Sequence, residues 1–377
     1  MDFSFSEEQQ LLRDSLARFV AREYPFEKRR AIVRSAEGFS REIWAQLAEM
    51  GLLGLTLPAA HGGFGGTAVD TLVAMQALGG GLVVEPYLAS AVLGAGTVAR
   101  AGTPAQRERL LPAAARGELL LTLAHGEAGA RYDLAQVAAR ARRAGTGFVL
   151  DGRKAVVPWG AQADVLVVSA RTAGAEREAA GISLFLVERA AKGVSVRGYR
   201  TIDGQRAAEV ALDGVTVDAG ALLGPLDEAL PIIERVVDVG AAALCAEAVG
   251  VMETLNAQTL DYLKTRQQFG QPIGRFQALQ HRAVDMFIHL EQSRSLALLA
   301  AVRADAEDAV ERARTVSAAK AHLGRSGRLV AQAAIQLHGG MGVTDEMPAS
   351  HYAKRLTMID FQLGDADHHA ARFAALG

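Results

Sequence analysis

The sequence predicts a mainly helical fold with a small β domain in its middle. Long stretches rich in Ala, Leu and Arg, with apolar residues at helical spacing, occupy both ends of the chain. Between them, short β-like runs separated by turn signals follow one another without crossover helices. This order favours an antiparallel barrel or sandwich over a parallel nucleotide-binding sheet. We expect three domains, namely an N-terminal helical domain, a middle β domain and a C-terminal four-helix bundle, at residues 1–116, 117–221 and 222–377.

Cap residues predict where the N-terminal helices begin. Ser6 and Gln9 form a capping-box pattern before an amphipathic run, and Ser40 precedes a second apolar segment. Thr103-Pro104 followed by Gln106 predicts a third start, because proline is tolerated in the first turn of a helix.

The middle and C-terminal elements are predicted from their composition and from the spacing of their apolar residues. The β-like runs lie at 119–124, 148–150, 154–157, 164–170 and 182–188. The long helical patterns lie at 227–265, 276–304, 307–338 and 348–360. Four such helices indicate a bundle.

Charge and apolar content exclude several functions. Forty basic and forty-two acidic residues give a formal charge of -2, which argues against general affinity for nucleic acid or anionic membranes. No apolar run reaches the roughly 20 residues of a membrane span, and the first residues lack a signal-like pattern, so we expect a soluble, cytoplasmic chain. The single Cys245 lies in an apolar stretch and is interpreted as a core residue.

Two other polar or glycine-rich sets are not assigned to sites. The loop His61–Gly66 resembles an esterase oxyanion loop, but no G-x-S-x-G nucleophile motif is present. The C-terminal residues Asp365, Asp367, His368 and His369 have metal-ligand chemistry, yet adjacent histidines on a helix diverge by roughly 100°. We therefore expect no metal.

Two motifs suit a nucleotide-bearing ligand. In the first, Arg266 can bind a phosphate in bidentate fashion, while Phe269 offers an apolar face and Gln277 an amide. In the second, Gly339 and Gly340 let the backbone approach a phosphate closely.

The segments YLKTRQQFGQPIG at 262–274 and QLHGGMG at 336–342 together resemble the acyl-CoA dehydrogenase family. The resemblance extends to nearly the whole chain. It includes the helix–β–helix order, the opening segment FSEEQQLLRDSLARFV and the segment GLLGLTLPAAHGGFGG. Within the family, the chain is most similar to the small-subunit branch, as in pimeloyl-CoA dehydrogenase. Four segments show this similarity: ARYDLA, LCAEAVG, KRLTMID and GDADHH. The resemblance implies FAD, an acyl-CoA substrate that undergoes α,β-desaturation, and an electron-transferring flavoprotein as acceptor.

The resemblance also implies roles for particular residues. Seven match positions that bind FAD, mostly the ADP half of FAD held by a neighbouring subunit: Arg266, Gln268, Phe269, Gln277, Gln336, Gly339 and Gly340. The family's catalytic glutamate position falls on Leu363, and an alternative position used by some relatives falls on Gly240. Leucine cannot accept a proton, so the catalytic residue is unknown. Asp365 is a weak substitute candidate, with Asp238 and Asp360 also near these positions.

The segments that flank the flavin ring in the family also differ here. Gly126–Asp133 replaces a Thr-Glu-Pro-Gly-Ala-Gly-Ser-Asp stretch, so its threonine and serine hydroxyls are missing. Val156 and Pro158 replace a Trp-x-Thr motif, and Trp159 is a candidate to compensate. We hypothesise a small subunit of a heteromeric enzyme whose larger partner supplies the glutamate. The alternatives are an autonomous flavoenzyme, with a substitute base or a reaction that needs no α-proton abstraction, and a non-catalytic assembly subunit.

Overall fold

The helix starts of the computed structural model, which describes residues 5–377, coincide with the predicted caps. The Ser6 hydroxyl accepts a hydrogen bond from the Gln9 backbone N–H, and the Gln9 side chain accepts one from the Ser6 N–H. Thr103 and Gln106 form the same reciprocal pair. Ser40 caps its helix through the Ile43 N–H. These three predictions are confirmed.

Long helices dominate the described part of the chain. The α-helices are α1 (Glu7–Glu23), α2 (Phe26–Arg34), α3 (Arg41–Glu49), α4 (Ala68–Gly80), α5 (Gly96–Ala101), α6 (Pro104–Ala115), α7 (Leu230–Thr265), α8 (Gln277–Ala304), α9 (Ala309–His338), α10 (Pro348–Phe361) and α11 (Ala366–Ala375). A π-helix, Leu88–Ala95, precedes α5. Within residues 5–377, no helix combines the length and apolarity required to cross a bilayer.

The strands form one large sheet and one short hairpin. They are β1 (Leu121–Ala124), β2 (Arg140–Ala144), β3 (Gly147–Pro158), β4 (Val165–Arg171), β5 (Ile182–Glu188), β6 (Val194–Arg200), β7 (Arg206–Val217), β8 (Leu222–Leu223), β9 (Gln267–Gln268) and β10 (Gln271–Pro272). The large sheet has the order β6-β7-β3-β2-β4-β5-β8, with β1 beside β4. The mainly helical fold with a central β domain is therefore confirmed.

Most neighbouring strands are antiparallel, as predicted, but β1 and β2 both run parallel to β4. The two predicted runs at 148–150 and 154–157 belong to the single strand β3, whose pairing with β7 is interrupted by bulges. The buried face of the sheet includes Phe148 and Phe185, whose ring centroids lie 5.0 Å apart. Burial of these aromatic rings stabilises the sheet.

The chain divides into two compact units. The helical unit contains the described residues before Val33, together with Thr67–Val83 and Ala241–Gly377. The sheet unit contains Val33–Gly66 and Val84–Gly240.

Close helix packing in the helical unit depends on two glycines. A Cβ atom at Gly250 of α7 would lie 2.0 Å from the Gln76 carbonyl oxygen, and one at Gly79 of α4 would lie 2.4 Å from that of Glu247. Because these clashes involve backbone atoms, larger side chains would separate α4 from α7. Beside this contact, Arg355 of α10 forms a buried bidentate ion pair with Glu247, with N–O distances of 2.5 and 2.6 Å.

Candidate functional site

The structure brings the two sequence motifs together at one end of the helical unit. Tyr262, near the end of α7, stacks on His338 at the end of α9, with ring centroids 4.5 Å apart and an angle of 30° between the planes. The connection between α8 and α9 is short, so these neighbouring helices are antiparallel. The His289 Nδ1 atom lies 3.2 Å from the Ser326 Oγ atom. Because equal numbers of residues separate this contact from Gln277 and from His338, the start of α8 lies level with the end of α9.

The hairpin between α7 and α8 presents an aromatic ring to solvent. Phe269 lies at its tip with 89 % of its surface exposed and a φ of 53°, next to Gly270 with a φ of 76°. The Phe269 ring makes an edge-to-face contact with Phe276 at 6.0 Å. A phenylalanine that is both exposed and in the left-handed region is unusual, and such positions are concentrated at functional sites.

The polar side chains at this end are available to a ligand. Arg266, Gln277 and Gln336 are exposed, and their side chains make no hydrogen bond or ion pair with another described residue. Gln268 is also exposed, although its side-chain amide donates to the Gln267 carbonyl over 2.9 Å. A guanidinium in water with no carboxylate partner can bind a phosphate without breaking an existing ion pair.

The glycine-rich turn after α9 leaves space beside Gly339 and Gly340. A Cβ atom at Gly339 or at Gly340 would meet no atom within 4 Å, so neighbouring protein atoms do not require glycine at either position. By contrast, a Cβ atom at Gly342 would lie 2.7 Å from the Ile335 carbonyl oxygen. Glycine at 342 is therefore required for close packing against α9. Gly339 and Gly340 instead form a backbone cradle that a side chain would fill. This cradle and the Arg266 guanidinium fit a phosphate-bearing cofactor.

Leu363, where the resemblance predicts the position of the family's glutamate, lies in a turn held by several hydrogen bonds. Leu363 has a φ of 56°, and its carbonyl oxygen lies 3.0 Å from the His369 Nε2 atom, which therefore donates the hydrogen bond. The buried Lys320 ammonium donates to the carbonyl oxygens of Asp360 and Gly364 over 2.9 and 2.6 Å. Burial lowers the pKa of Lys320 to about 8 and that of His369 to about 3. The Leu363 side chain takes no part in these hydrogen bonds.

The nearby carboxylates are occupied by structural contacts. Asp365 caps α11 by accepting a hydrogen bond from the His368 backbone N–H over 2.8 Å. Asp360 accepts from the Arg328 guanidinium over 2.9 Å and from the Ala366 N–H over 3.1 Å. Asp238 is fully buried in α7. Gly240, the alternative base position, is also buried in α7 and has no side chain that could accept a proton.

In the sheet unit, Trp159 does not present its ring in place of the missing tryptophan. Its side chain is buried and makes an edge-to-face contact with Phe39 at 5.7 Å. Val156 is 59 % exposed instead. The suggestion that Trp159 compensates for the lost Trp-x-Thr motif is therefore wrong, because this ring packs inside the unit.

Other sequence features have structural roles. The backbone N–H groups of residues 61–66 all donate to carbonyls of residues 54–59, so the His61–Gly66 loop offers no anion site. Cys245 is completely buried, and burial raises its pKa to about 12, in agreement with a core residue. Among the described residues, no group of three or more His, Cys, Asp or Glu side chains could hold a metal ion.

Sequence reasoning missed a buried polar network in the sheet unit. Lys154 of β3 forms an ion pair with Glu127 and also contacts Ser169, which lies 2.9 Å from His125. The only signal in the sequence was a lysine within an apolar strand pattern, which is also compatible with an exposed edge position.

Models of acyl-CoA dehydrogenase domains match almost the whole chain: the N-terminal domain over residues 6–118, the middle domain over 122–215 and the C-terminal domain over 230–374. Mitochondrial isovaleryl-CoA dehydrogenase of Pongo abelii is 29% identical over 96% of this chain and 86% of its own length. Acyl-CoA dehydrogenase FadE27 of Mycobacterium tuberculosis is 30% identical over 97% and 96%, respectively. The solved ChsE4-ChsE5 complex from Mycobacterium tuberculosis contains a chain with a TM-score of 0.89 and 30% identity, covering 100% of this chain and 98% of that one.

Proposed function

We propose, because the chain belongs to the acyl-CoA dehydrogenase family, that it is the smaller subunit of a heteromeric enzyme whose partner chain supplies the catalytic carboxylate. Family membership makes the chain an acyl-CoA dehydrogenase-type oxidoreductase with FAD as its cofactor. The heteromeric role goes beyond family membership and is our proposal. It rests above all on the turn at Leu363.

Desaturation of an acyl-CoA needs a base for the α-proton while the β-hydrogen leaves as hydride. At the family's position for that base, this chain has a leucine in a turn held by Lys320 and His369. The nearest carboxylates, Asp360 and Asp365, accept structural hydrogen bonds. Moving either one towards a substrate would break a helix cap or a partly buried ion pair, so a base from another chain is the simpler solution.

The helical unit retains groups suited to FAD. We assign Arg266 to the cofactor's phosphates, together with the Gly340 backbone N–H of the cradle, since the Gly339 N–H donates to the Gln336 carbonyl. Phe269 offers a ring for stacking, and Gln268, Gln277 and Gln336 offer amides. When bound, FAD supplies the acceptor for the hydride that leaves the acyl chain.

The similarity to a chain of the ChsE4-ChsE5 complex supports a heteromer, because the name of that structure describes an assembly of two differently named proteins. The likeness to the small subunit of pimeloyl-CoA dehydrogenase points the same way and stays a prediction. We also propose an electron-transferring flavoprotein as the electron acceptor and the cytoplasm as the location.

The test compares the visible spectrum and native mass of the chain purified alone with those of the chain coexpressed with a larger acyl-CoA dehydrogenase-like chain from the same genome. Flavin absorbance and acyl-CoA bleaching found only in the heteromer would support the proposal. A yellow homo-oligomer that acyl-CoA bleaches would refute it in favour of an autonomous enzyme. A colourless heteromer without thioester turnover would instead indicate an assembly subunit.

A further inference from the structure

A completely buried lysine lies at the centre of the polar network in the sheet unit. The Lys154 side chain is 0 % exposed, and its ammonium donates to Glu127 Oε1, Ser169 Oγ and the His125 carbonyl oxygen over 2.6, 3.0 and 3.3 Å. An ammonium has three N–H donors, so every one of them has an acceptor. Burying a charge is costly unless it is paired and fully hydrogen-bonded, and Lys154 meets both conditions.

The partner of this lysine closes a long loop at its base. Glu127 Oε2 accepts a hydrogen bond from the Ala138 N–H over 2.8 Å, and Oε1 accepts one from the Ala139 N–H over 3.1 Å. Glu127 stands near the start of the loop between β1 and β2, and the two alanines end it. Through Glu127 and the His125 carbonyl, the single ammonium of Lys154 therefore holds both ends of this loop.

The same lysine adjoins a strained bulge in β3. The pairing of β3 with β7 shifts register between Lys154 and Val157, and Val156 within the bulge has a φ of 53°. A β-branched residue in the left-handed region is an outlier that the surrounding structure must enforce. Next to it, the Ala155 N–H donates to the Gly126 carbonyl over 2.8 Å, which joins the bulge to the loop.

The hydrogen bonds around His125 also indicate its protonation state. The Ser169 hydroxyl accepts a hydrogen bond from Lys154, so its own hydrogen is free to be donated to His125 Nδ1, 2.9 Å away. The imidazole is then neutral with its proton on Nε2, and a hydrogen bond links His125 to the Leu134 backbone within the loop. Burial lowers the pKa of His125 to about 3, in agreement with a neutral ring.

We propose that Lys154 is a positioning residue that fixes the backbone of residues 126–133 and 155–158, so that main-chain groups hold the flavin ring where the family's hydroxyl and tryptophan side chains are missing. This inference rests on the proposed function and on the family resemblance, which implies that these two segments lie beside the ring. The ion pair adds no net charge to the site. Its contribution is geometric, since it couples two segments that belong to different parts of the sequence.

The test uses the full chain in the assembly that carries flavin. Lys154→Met is compared with Glu127→Gln, which keeps the side-chain shape, and with the control Arg312→Met. Arg312 is a buried cation in the helical unit that donates to the Ala306 carbonyl over 2.9 Å. For each variant we would measure the flavin dissociation constant, the positions of the visible flavin bands, the melting temperature and the amide hydrogen exchange of the flavin-free chain.

We expect Lys154→Met to weaken flavin binding roughly tenfold or more and to shift the visible bands. The amides of Ala138, Ala139 and Ala155 should exchange faster, and Glu127→Gln should change each quantity in the same direction by less. Arg312→Met should lower the melting temperature and leave flavin affinity and spectrum unchanged.

If Lys154→Met fails to fold, Glu127→Gln decides the question. Wild-type affinity and bands in whichever of the two variants folds would overturn the positioning role while leaving the proposed function intact. If the wild-type chain carries no flavin in any assembly, the proposed function and this inference both fail.

Discussion

Gly340→Ala is a sharp test of the backbone cradle, because the structure predicts opposite effects on stability and on binding. A Cβ atom at Gly340 meets nothing within 4 Å, and its φ lies outside the left-handed region. Alanine therefore fits without strain. Since it also restricts the unfolded chain, it should leave the free energy of unfolding unchanged or raise it by about 0.4–1 kcal/mol.

The same methyl group would occupy the space into which a cofactor phosphate must come. The loss of one hydrogen bond between a backbone N–H and a charged phosphate costs about 1.5–3 kcal/mol. At about 1.4 kcal/mol per factor of ten, FAD binding should weaken roughly 10- to 100-fold. No loss of folded protein should accompany this change.

The assay is a titration of the flavin-free assembly with FAD, followed by flavin fluorescence, beside thermal unfolding of the same samples. Gly342→Ala is the matched control, because its Cβ atom would clash with the Ile335 carbonyl oxygen at 2.7 Å. This control should lose about 1–3 kcal/mol of stability through overpacking. Wild-type FAD affinity in a stable Gly340→Ala variant would refute the assignment of the cradle to the cofactor.

Three further predictions concern charged groups. Arg266→Gln should weaken FAD binding roughly tenfold and reduce its dependence on salt, with no change in melting temperature, as measured by titration at two ionic strengths. Arg355→Met should destabilise the chain by about 3–5 kcal/mol in urea unfolding, because it leaves buried Glu247 without its partner, and Arg355→Met with Glu247→Leu should recover most of this loss. The pKa values of His125 and His369 are lowered to about 3, so the unfolded chain binds protons that the folded chain does not once the pH falls below about 6.5. Stability is therefore complete above pH 6.5 and should fall by about 2 kcal/mol per histidine by pH 5, and His369→Gln should flatten this dependence in urea unfolding at several pH values.

The helices could be predicted because their signals are local. The start of α1 depends on Ser6 and Gln9, and the span of α9 on apolar spacing that ends at a glycine pair. Such signals act within a few residues and need no tertiary contact. The short α11 was not predicted, because its cap, Asp365, stands within a cluster that was interpreted through metal chemistry.

The strands were less predictable because their partners are distant in sequence. β2 reads RARRA, which carries charges on both sides and has no apolar alternation, yet it pairs along its length with β3. The parallel pairing of β1 with β4 depends on which edge of β4 is open to a partner. The local sequences of the two strands do not encode that edge. β3 was divided into two apparent runs because Asp151-Gly152 resembles a turn signal, whereas the structure has a register shift between Leu150 and Gly152 within one strand.

The candidate site shows the same division between local and distant information. The resemblance predicts that Arg266 and Gly339 serve one ligand, and the contact between Tyr262 and His338 places their motifs side by side. The burial of Lys154 could not be predicted, because a lysine becomes a core residue only when its acceptors converge from separate segments. Trp159 was misinterpreted because the direction of its ring depends on packing against Phe39.

Under the proposed function, the shape of the turn at Leu363 does not depend on the catalytic base. Lys320 satisfies carbonyl groups at the end of α10, and such groups need a partner whether or not a base is present. The hydrogen bonds that shape the turn come from backbone atoms and from residues other than Leu363, so replacing a carboxylate by leucine there removes a proton acceptor without removing any of them. The proposed function therefore assigns proton abstraction to a partner chain without requiring any change in the architecture of this one.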